Sequence, residues 1–261
     1  MPEVIIRGDG EPLVFIPGVQ GRWELMGPAV DALAARHRVA TFSLGGVPHA
    51  ACFDAWNARV AAAIDALGAR SATIVGISFG GLVGIRFAAS QPDRTARLVL
   101  VSTPTPGGID DDRVRGYLKH PRLSAPLFAI RSIDRLGPEI AAARPAWTGR
   151  IAFTAEYIWR VLRWPMSPVD MAAWVRAWPA AGIEAACGAV RASTLVITGE
   201  GSLDRVVPVD DTRRYLTLIA ESRAATIRGT GHLGLLLKPE EFATLVGDFA
   251  AGARPGPTET G

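Results

Sequence analysis

The residues best suited to chemistry lie in the pentapeptide Gly76–Gly80, which reads Gly-Ile-Ser-Phe-Gly. The apolar run Thr73–Ile77 before Ser78 has the character of a buried strand, and a helical pattern over Phe79–Gln91 follows. A sharp turn between them presents the serine hydroxyl above a sheet edge, and the two glycines avoid a collision with neighbouring backbone. The spacing predicts Ser78 as a nucleophile; the alternative is a glycine-rich turn with an incidental serine.

A serine hydroxyl needs a base, and the chain has four histidines. His232 follows the last predicted strand, in the glycine-rich loop Gly229–Gly234. It therefore lies at the carboxyl edge of a parallel sheet, as Ser78 does. His37 follows a helix and precedes a strand, so it lies at the opposite edge. The remaining histidines fall in loop or inserted sequence, where a surface role is expected: His49 and His120.

The acid that orients the histidine is predicted to be Asp204, in the loop that follows the strand Thr194–Thr198. Glu200 is the rival because it lies nearer the end of that strand. Two further acids resemble residues in the first turn of a helix: Asp210 and Asp211. The chain order serine, aspartate, histidine is the order found where a serine of this kind follows a strand.

Two backbone amides are expected to bind the negative charge that develops on a substrate oxygen. One is the N–H of Phe79, directly after the nucleophile. The other is the N–H of Val19, in the early loop Ile16–Gly21, where Gly18 lets the backbone bend toward Ser78. An ordinary Pro-Gly turn is the alternative for this loop.

These residues are carried by alternating short strands and longer helices, which indicates an α/β fold with a mostly parallel sheet covered by helices on both faces. The predicted strands are Val4–Arg7, Leu13–Ile16, Arg38–Phe42, Thr73–Ile77, Leu98–Ser102, Thr194–Thr198 and Ala224–Ile227. The predicted helices are Trp23–Arg36, Phe53–Leu67, Phe79–Gln91, Asp210–Ala220 and Pro239–Ala251. Residues 1–103 and 191–251 form the core, 104–190 a helical insertion, and 252–261 a disordered tail.

Over nearly its whole length the chain resembles the α/β-hydrolase superfamily, and within it the small capped esterases, lactonases and C–C bond hydrolases. The resemblance rests on motifs in the expected order: Pro17-Gly18, Gly76–Gly80, Asp204 before Val207-Pro208, and Gly231-His232 before Pro239-Glu240. It implies catalysis without a metal or organic cofactor. One departure is the segment Ser43–His49, where many relatives carry Asp-x-Arg-Gly-His-Gly.

The insertion is predicted to form a cap over the site. Four of its residues are the candidates for an apolar substrate pocket: Trp164, Met166, Trp174 and Trp178. The alternative is that the tryptophans hold the cap helices to each other and to the core. A basic group in the same segment either meets an acidic substrate or forms a solvated face: Arg113, Arg115, Lys119 and Arg122.

The composition of the chain disfavours several other classes of function. The net charge is +3 and the arginines are scattered, which disfavours binding to nucleic acid. The two distant cysteines, Cys52 and Cys187, indicate neither a disulfide framework nor a zinc site. The N-terminal residues lack the pattern of a signal peptide, and no stretch is typical of a membrane span. A cytoplasmic monomer or homodimer that binds a small-molecule substrate is expected.

The leading hypothesis is hydrolysis of a small, largely apolar ester, thioester or lactone through an acyl-enzyme on Ser78. C–C bond cleavage by the same three residues is the chemical rival. A ligand-binding receptor with little turnover and a cofactor-free peroxidase-like activity are also compatible with this set of residues.

Overall fold

The computed structural model describes residues 3–108 and 112–252. Its centre is a seven-stranded sheet. The strands are β1 (Ile5–Arg7), β2 (Glu11–Ile16), β3 (His37–Thr41), β4 (Ala72–Ile77), β5 (Thr95–Val101), β6 (Thr194–Thr198) and β7 (Ser222–Thr226). Their spatial order is β1-β3-β2-β4-β5-β6-β7, with β1 antiparallel to β3 and all other neighbours parallel.

Five of the helices cover the two faces of the sheet. They are α1 (Gly27–Ala34), α2 (Cys52–Ala66), α3 (Phe79–Ser90), α8 (Ile183–Ala189) and α12 (Pro239–Ala250). The apolar residues of α2, α3 and α8 form one core cluster with one face of the sheet, and those of α1 and α12 form the other. Because both faces are covered, β4 is buried along its full length, as expected for a central parallel strand.

The chain leaves the sheet between β5 and β6 and forms helices only, within the residues described. These are α4 (Asp112–Lys119), α5 (Pro121–Ala143), α6 (Trp147–Arg163) and α7 (Pro168–Ala177), followed by α8. Helix α8 packs against α3 in the layer beside the sheet, so the excursion away from the core ends before it. We call α4 to α7 the cap. Within residues 3–108 and 112–252, none of the helices is long and apolar enough to cross a membrane.

The α/β fold predicted from the sequence is confirmed, with differences at individual elements. The segment Asp210–Ala220 forms two short helices, α9 (Val209–Arg213) and α10 (Tyr215–Leu218). A further short helix, α11 (Gly234–Leu237), precedes α12. The predicted helix from Trp23 begins as a 3-10 turn, and α1 starts at Gly27 with Pro28 in its first turn. A proline is favoured there because its missing N–H would have no acceptor. The predicted tail lies outside the described residues beyond Gly252.

Candidate active site

Ser78 occupies the turn between the last residue of β4 and the first residue of α3. Its φ is 50° and its ψ −121°, in the left-handed half of conformational space that non-glycine residues rarely adopt. Two hydrogen bonds hold this conformation. The Ser78 N–H donates to the Val101 carbonyl at 2.7 Å, and the Gly81 N–H donates to the Ser78 carbonyl at 2.9 Å. The side chain remains partly exposed at the carboxyl edge of the sheet.

The glycines on either side of Ser78 are required by close backbone contacts. A β-carbon on Gly76 would lie 2.5 Å from the carbonyl oxygen of Gly80, and one on Gly80 would lie 2.4 Å from that of Ile16. Neither neighbour can move easily, because both are backbone atoms. The collision expected from the sequence pattern is therefore present at both positions.

His232 and Asp204 lie side by side in the loops that follow β7 and β6. The imidazole Nδ1 is 3.4 Å from Asp204 Oδ2, and the carboxylate is almost completely buried. The second oxygen of Asp204 accepts the N–H groups of Val206 and Val207 at 3.0 and 2.9 Å. Burial opposes ionisation of Asp204, but His232 and the two amides outweigh it and hold the pKa of the carboxyl below its ordinary value.

The two loops that carry this pair touch each other directly. A β-carbon on Gly231 would lie 2.6 Å from the Leu203 carbonyl oxygen, so only glycine fits between them. Glu200, the rival acid, uses its Oε1 to accept the N–H of Gly229 at 2.7 Å. Glu200 thus braces the histidine loop from its start, and Asp204 is the carboxylate that faces the imidazole.

The early loop lies close to the nucleophile. The Gly21 N–H donates to the Gly18 carbonyl at 2.8 Å, which closes a tight turn around Val19. A β-carbon on Gly18 would lie 3.5 Å from the β-carbon of Ser78. Phe79 begins α3, and the amides of a first helical turn have no acceptor within their own helix. Val19 and Phe79 are therefore placed on the two elements that flank Ser78, and their role in binding an oxyanion stays a prediction.

A single arginine supports the loop that departs from the usual family sequence. Arg59, from α2, donates through Nη1 to the carbonyls of Ser43, Leu44 and Gly45 at 2.9, 3.0 and 2.8 Å. Its Nη2 donates to the Gly46 carbonyl at 3.2 Å. The Leu44 N–H in turn donates to the Gly21 carbonyl, so this loop holds the far end of the turn around Val19.

The cap places two polar side chains against the site loops, and sequence reasoning missed both. Tyr157, from α6, accepts a hydrogen bond from Gln20 Nε2 at 3.1 Å, beside Val19. Glu139, from α5, accepts the N–H groups of Gly231 and Leu233 at 2.8 and 2.9 Å. A signal for Glu139 was present in the sequence, because a lone acid interrupts the apolar positions of its helical face: Leu136, Ile140 and Ala143.

Two of the four predicted pocket residues are packed into the core. Trp174 packs edge-on against Trp56, with ring centroids 5.4 Å apart, and a β-carbon on Gly21 would lie 2.7 Å from its ring. Trp178 packs edge-on against Phe79 at 6.2 Å. Both tryptophans therefore support elements that flank the nucleophile. A direct contact with substrate stays a prediction.

The other two predicted pocket residues lie in separate surroundings. Trp164 lines a surface cavity of about 370 Å³ whose lining includes none of Ser78, Asp204 and His232. Met166 packs on the apolar cluster that includes Leu233, the neighbour of His232. Substrate binding by either residue stays a prediction.

The remaining titratable candidates have other surroundings. Burial lowers the pKa of His37, which lies at the start of β3, at the opposite edge of the sheet. His49 is 2.9 Å from an Asp170 oxygen on the cap. His120 precedes α5. The basic cap residues are placed as follows: Arg115 pairs with Asp112, Lys119 and Arg122 are exposed, and the side chain of Arg113 lies outside the described residues. No group of three or more metal-ligating side chains occurs among the residues described.

A protein-family model matches most of the sequence that forms this fold. The model described as "Alpha/beta hydrolase family" matches residues 13–245. The chain belongs to the alpha/beta hydrolase family. Its position in that family accounts for the order of the serine, acid and histidine loops along the sheet edge.

Three proteins illustrate where this alpha/beta hydrolase lies among its relatives. It is 31% identical to a 2-hydroxymuconate semialdehyde hydrolase from Pseudomonas sp. (strain CF600), over 94% of this chain and 89% of that protein. It is 29% identical to a 2-hydroxy-6-oxo-2,4-heptadienoate hydrolase from Pseudomonas putida, over 94% and 90%. The enol-lactonase from Burkholderia xenovorans LB400 has the same fold, with a TM-score of 0.76 and 19% identity over 95% of this chain and 96% of that one.

Proposed function

We propose that this alpha/beta hydrolase cleaves a small, largely apolar and uncharged ester, thioester or lactone through an acyl-enzyme on Ser78. The observation that carries the proposal is the strained turn at Ser78, combined with the His232–Asp204 pair at the same edge of the sheet. A turn of this kind exposes a hydroxyl, and a histidine with a fixed carboxylate partner can remove its proton.

In the proposed reaction, Asp204 faces Nδ1 of His232, which leaves Nε2 to take the proton as the Ser78 oxygen attacks the substrate carbonyl. The amides of Val19 and Phe79 bind the resulting oxyanion. His232 then gives its proton to the departing alcohol, thiol or ring oxygen, and the acyl group remains on Ser78. A water molecule, deprotonated by His232, releases the acid and regenerates the serine.

The preference for an uncharged substrate is inferred from the charge of the cap. The cap side chain that bonds to the histidine loop is the carboxyl group of Glu139, buried beside His232 and Asp204. A substrate carboxylate brought to the same place would be repelled by Asp204 and, above about pH 7, by the ionised Glu139 as well. The apolar cap residues on the same cluster favour a hydrocarbon acyl group: Leu136, Ile140, Phe153 and Val161.

The test is hydrolysis of p-nitrophenyl acyl esters of increasing chain length by the wild type and by Ser78→Ala. Turnover by the wild type, with a loss of at least about 10³-fold in the variant, is expected because the hydroxyl forms the covalent intermediate. Turnover that is equal in the two proteins, or absent in the wild type across esters, thioesters and lactones, contradicts the proposal.

A second candidate is hydrolysis of a carbon–carbon bond beside a carbonyl, by the same triad. Two relatives favour this candidate: the 2-hydroxymuconate semialdehyde hydrolase and the 2-hydroxy-6-oxo-2,4-heptadienoate hydrolase. Each aligns with 94% of this chain. The assay is the loss of absorbance of 2-hydroxy-6-oxo-2,4-heptadienoate. Turnover of this dienoate far above that of every ester would make this candidate the better description, and would remove the argument for an uncharged substrate.

A further inference from the structure

The cap is hydrogen-bonded to the loop of the predicted base, His232, through one buried carboxyl group. Glu139 is only 1% exposed, and its Oε2 accepts the N–H groups of Gly231 and Leu233. These two residues are the immediate neighbours of His232. One oxygen thus fixes the backbone on both sides of the imidazole, and it does so from a helix more than ninety positions away in the sequence.

The second oxygen of this carboxyl group is buried and has no hydrogen-bond partner among the described residues. Two accepted N–H bonds need only one oxygen, which an amide side chain also supplies. Burying the second, unbonded oxygen of a carboxylate costs free energy unless its charge interacts favourably with a neighbouring group. Anchoring the loop therefore does not explain why the side chain is an acid.

The charged and titratable groups around Glu139 come from three elements. His232 lies in the loop that the carboxyl group binds, Asp204 in the loop after β6, and Tyr157 on α6. Burial raises the pKa of Glu139 to about 7, against the opposing effects of the two amides and of His232. The group therefore becomes negative within the pH range in which a histidine acts as a base.

We propose that Glu139 is a positioning residue of the active site: it fixes the backbone on both sides of His232, and its negative charge stabilises the imidazolium that forms when the Ser78 proton is transferred. The proposal rests on the proposed function of Ser78, His232 and Asp204. It makes the cap part of the catalytic apparatus and not only a cover for substrate. Asp204 then acts on the imidazole from the loop after β6, and Glu139 acts on it from helix α5 of the cap.

Two substitutions separate the two roles. Glu139→Gln keeps an oxygen that can accept both N–H groups and removes the charge, whereas Glu139→Ala removes both. The matched control is Glu200→Gln, because Glu200 also accepts an N–H of the histidine loop through one oxygen, at Gly229. Thermal unfolding of each variant shows whether it is folded before any rate is compared.

The readout is the rate at which a fluorophosphonate labels Ser78, measured from pH 5 to 9. In this reaction the serine oxygen bonds to phosphorus, fluoride leaves and His232 takes the proton, so the rate reports the base without knowledge of the natural substrate. For Glu139→Gln we expect labelling about tenfold slower at pH 8, with the acidic limb of the pH profile moved to lower pH. For Glu139→Ala we expect a larger loss. Glu200→Gln is expected to leave the acidic limb of the pH profile where it is in the wild type.

Two outcomes overturn the inference: a folded Glu139→Gln with the wild-type rate and profile, or a Glu200→Gln with the same shift as Glu139→Gln. A wild type that labels at Ser78 but hydrolyses no ester, thioester or lactone refutes the proposed substrate class instead. In that case the profiles of the two Glu139 variants still decide the role of this residue.

Discussion

Two serines among the described residues adopt positive φ, and they differ in their surroundings. Ser78 has φ 50° at the end of β4, and Ser102 has φ 43° just past the end of the neighbouring β5. Ser102 is buried, with 2% of its surface exposed, whereas Ser78 keeps a partly exposed side chain at the start of a helix. Backbone strain at the sheet edge is therefore not sufficient to identify a serine as a nucleophile. Exposure and the helix that follows distinguish Ser78.

At the same scale, Asp204→Asn tests the orienting acid. The amide keeps an oxygen for the Val206 and Val207 N–H groups but presents an N–H toward Nδ1, which favours the wrong tautomer of His232. We expect kcat/KM for an ester, or the rate of fluorophosphonate labelling, to fall by roughly 10³-fold or more. Glu200→Gln, the equivalent change at the rival position, should lose far less. A larger loss at Glu200 than at Asp204 would reverse the assignment.

At the scale of elements, the nucleophile turn depends on backbone segments that touch without side chains between them. The loop after β2, the end of β4 and the start of α3 meet at Gly76 and Gly80. The sequence pattern predicted these backbone contacts, because the constraint is local and appears as glycine at fixed spacing. The arginine that supports the loop 43–46 was not predictable in the same way, since its four acceptors are carbonyl groups that any residue carries.

A pair of glycine substitutions tests the close packing of the turn. In Gly80→Ala the new methyl group meets the carbonyl oxygen of Ile16, so we expect a loss of about 3 kcal/mol or more in the free energy of unfolding. Gly188→Ala is the control, in α8, where a β-carbon meets no atom within 4 Å. It should be neutral or stabilise by up to about 1 kcal/mol. Urea unfolding measures both, and equal effects would contradict the close contact.

At the scale of the whole molecule, the cap and the core share the site. Tyr157 reaches the loop of Val19 through Gln20, and Glu139 reaches the loop of His232. The sequence predicted a helical insertion but not these contacts, because they depend on how the cap helices dock. It left two interpretations open for the tryptophans, and the packing of Trp174 and Trp178 against the elements that flank Ser78 agrees with a role in holding the cap to the core. Hydrophobic size alone does not distinguish a residue that lines a cavity from one that fills a core.

The buried acid between cap and core also predicts how stability depends on pH. The folded protein keeps the Glu139 proton up to a pKa of about 7, whereas the ordinary value is 4.5, so the folded state binds more protons between these values. The free energy of unfolding therefore falls as the pH rises through this window. Asp204 has the opposite effect at lower pH. Its pKa is below the ordinary value, so its contribution to the free energy of unfolding is lost as the pH falls.

Glu139→Gln should remove this slope. Its stability relative to the wild type is expected to increase by about 2–3 kcal/mol between pH 5 and pH 8, since a shift of one pKa unit corresponds to about 1.4 kcal/mol. Urea unfolding at a series of pH values measures the difference, with Glu200→Gln as the variant that should keep the wild-type slope. If the difference in free energy of unfolding between Glu139→Gln and wild type does not change with pH, folding does not raise the pKa of Glu139 and the prediction is wrong.

The central claim, that Ser78 is the nucleophile of this alpha/beta hydrolase, is tested most directly by fluorophosphonate labelling followed by intact-mass and peptide mass spectrometry. We predict one adduct, on the peptide that contains Ser78, in the wild type and in Ser102→Ala, and no adduct in Ser78→Ala. An adduct that persists in Ser78→Ala, or a folded wild type that takes up no probe, would contradict the account.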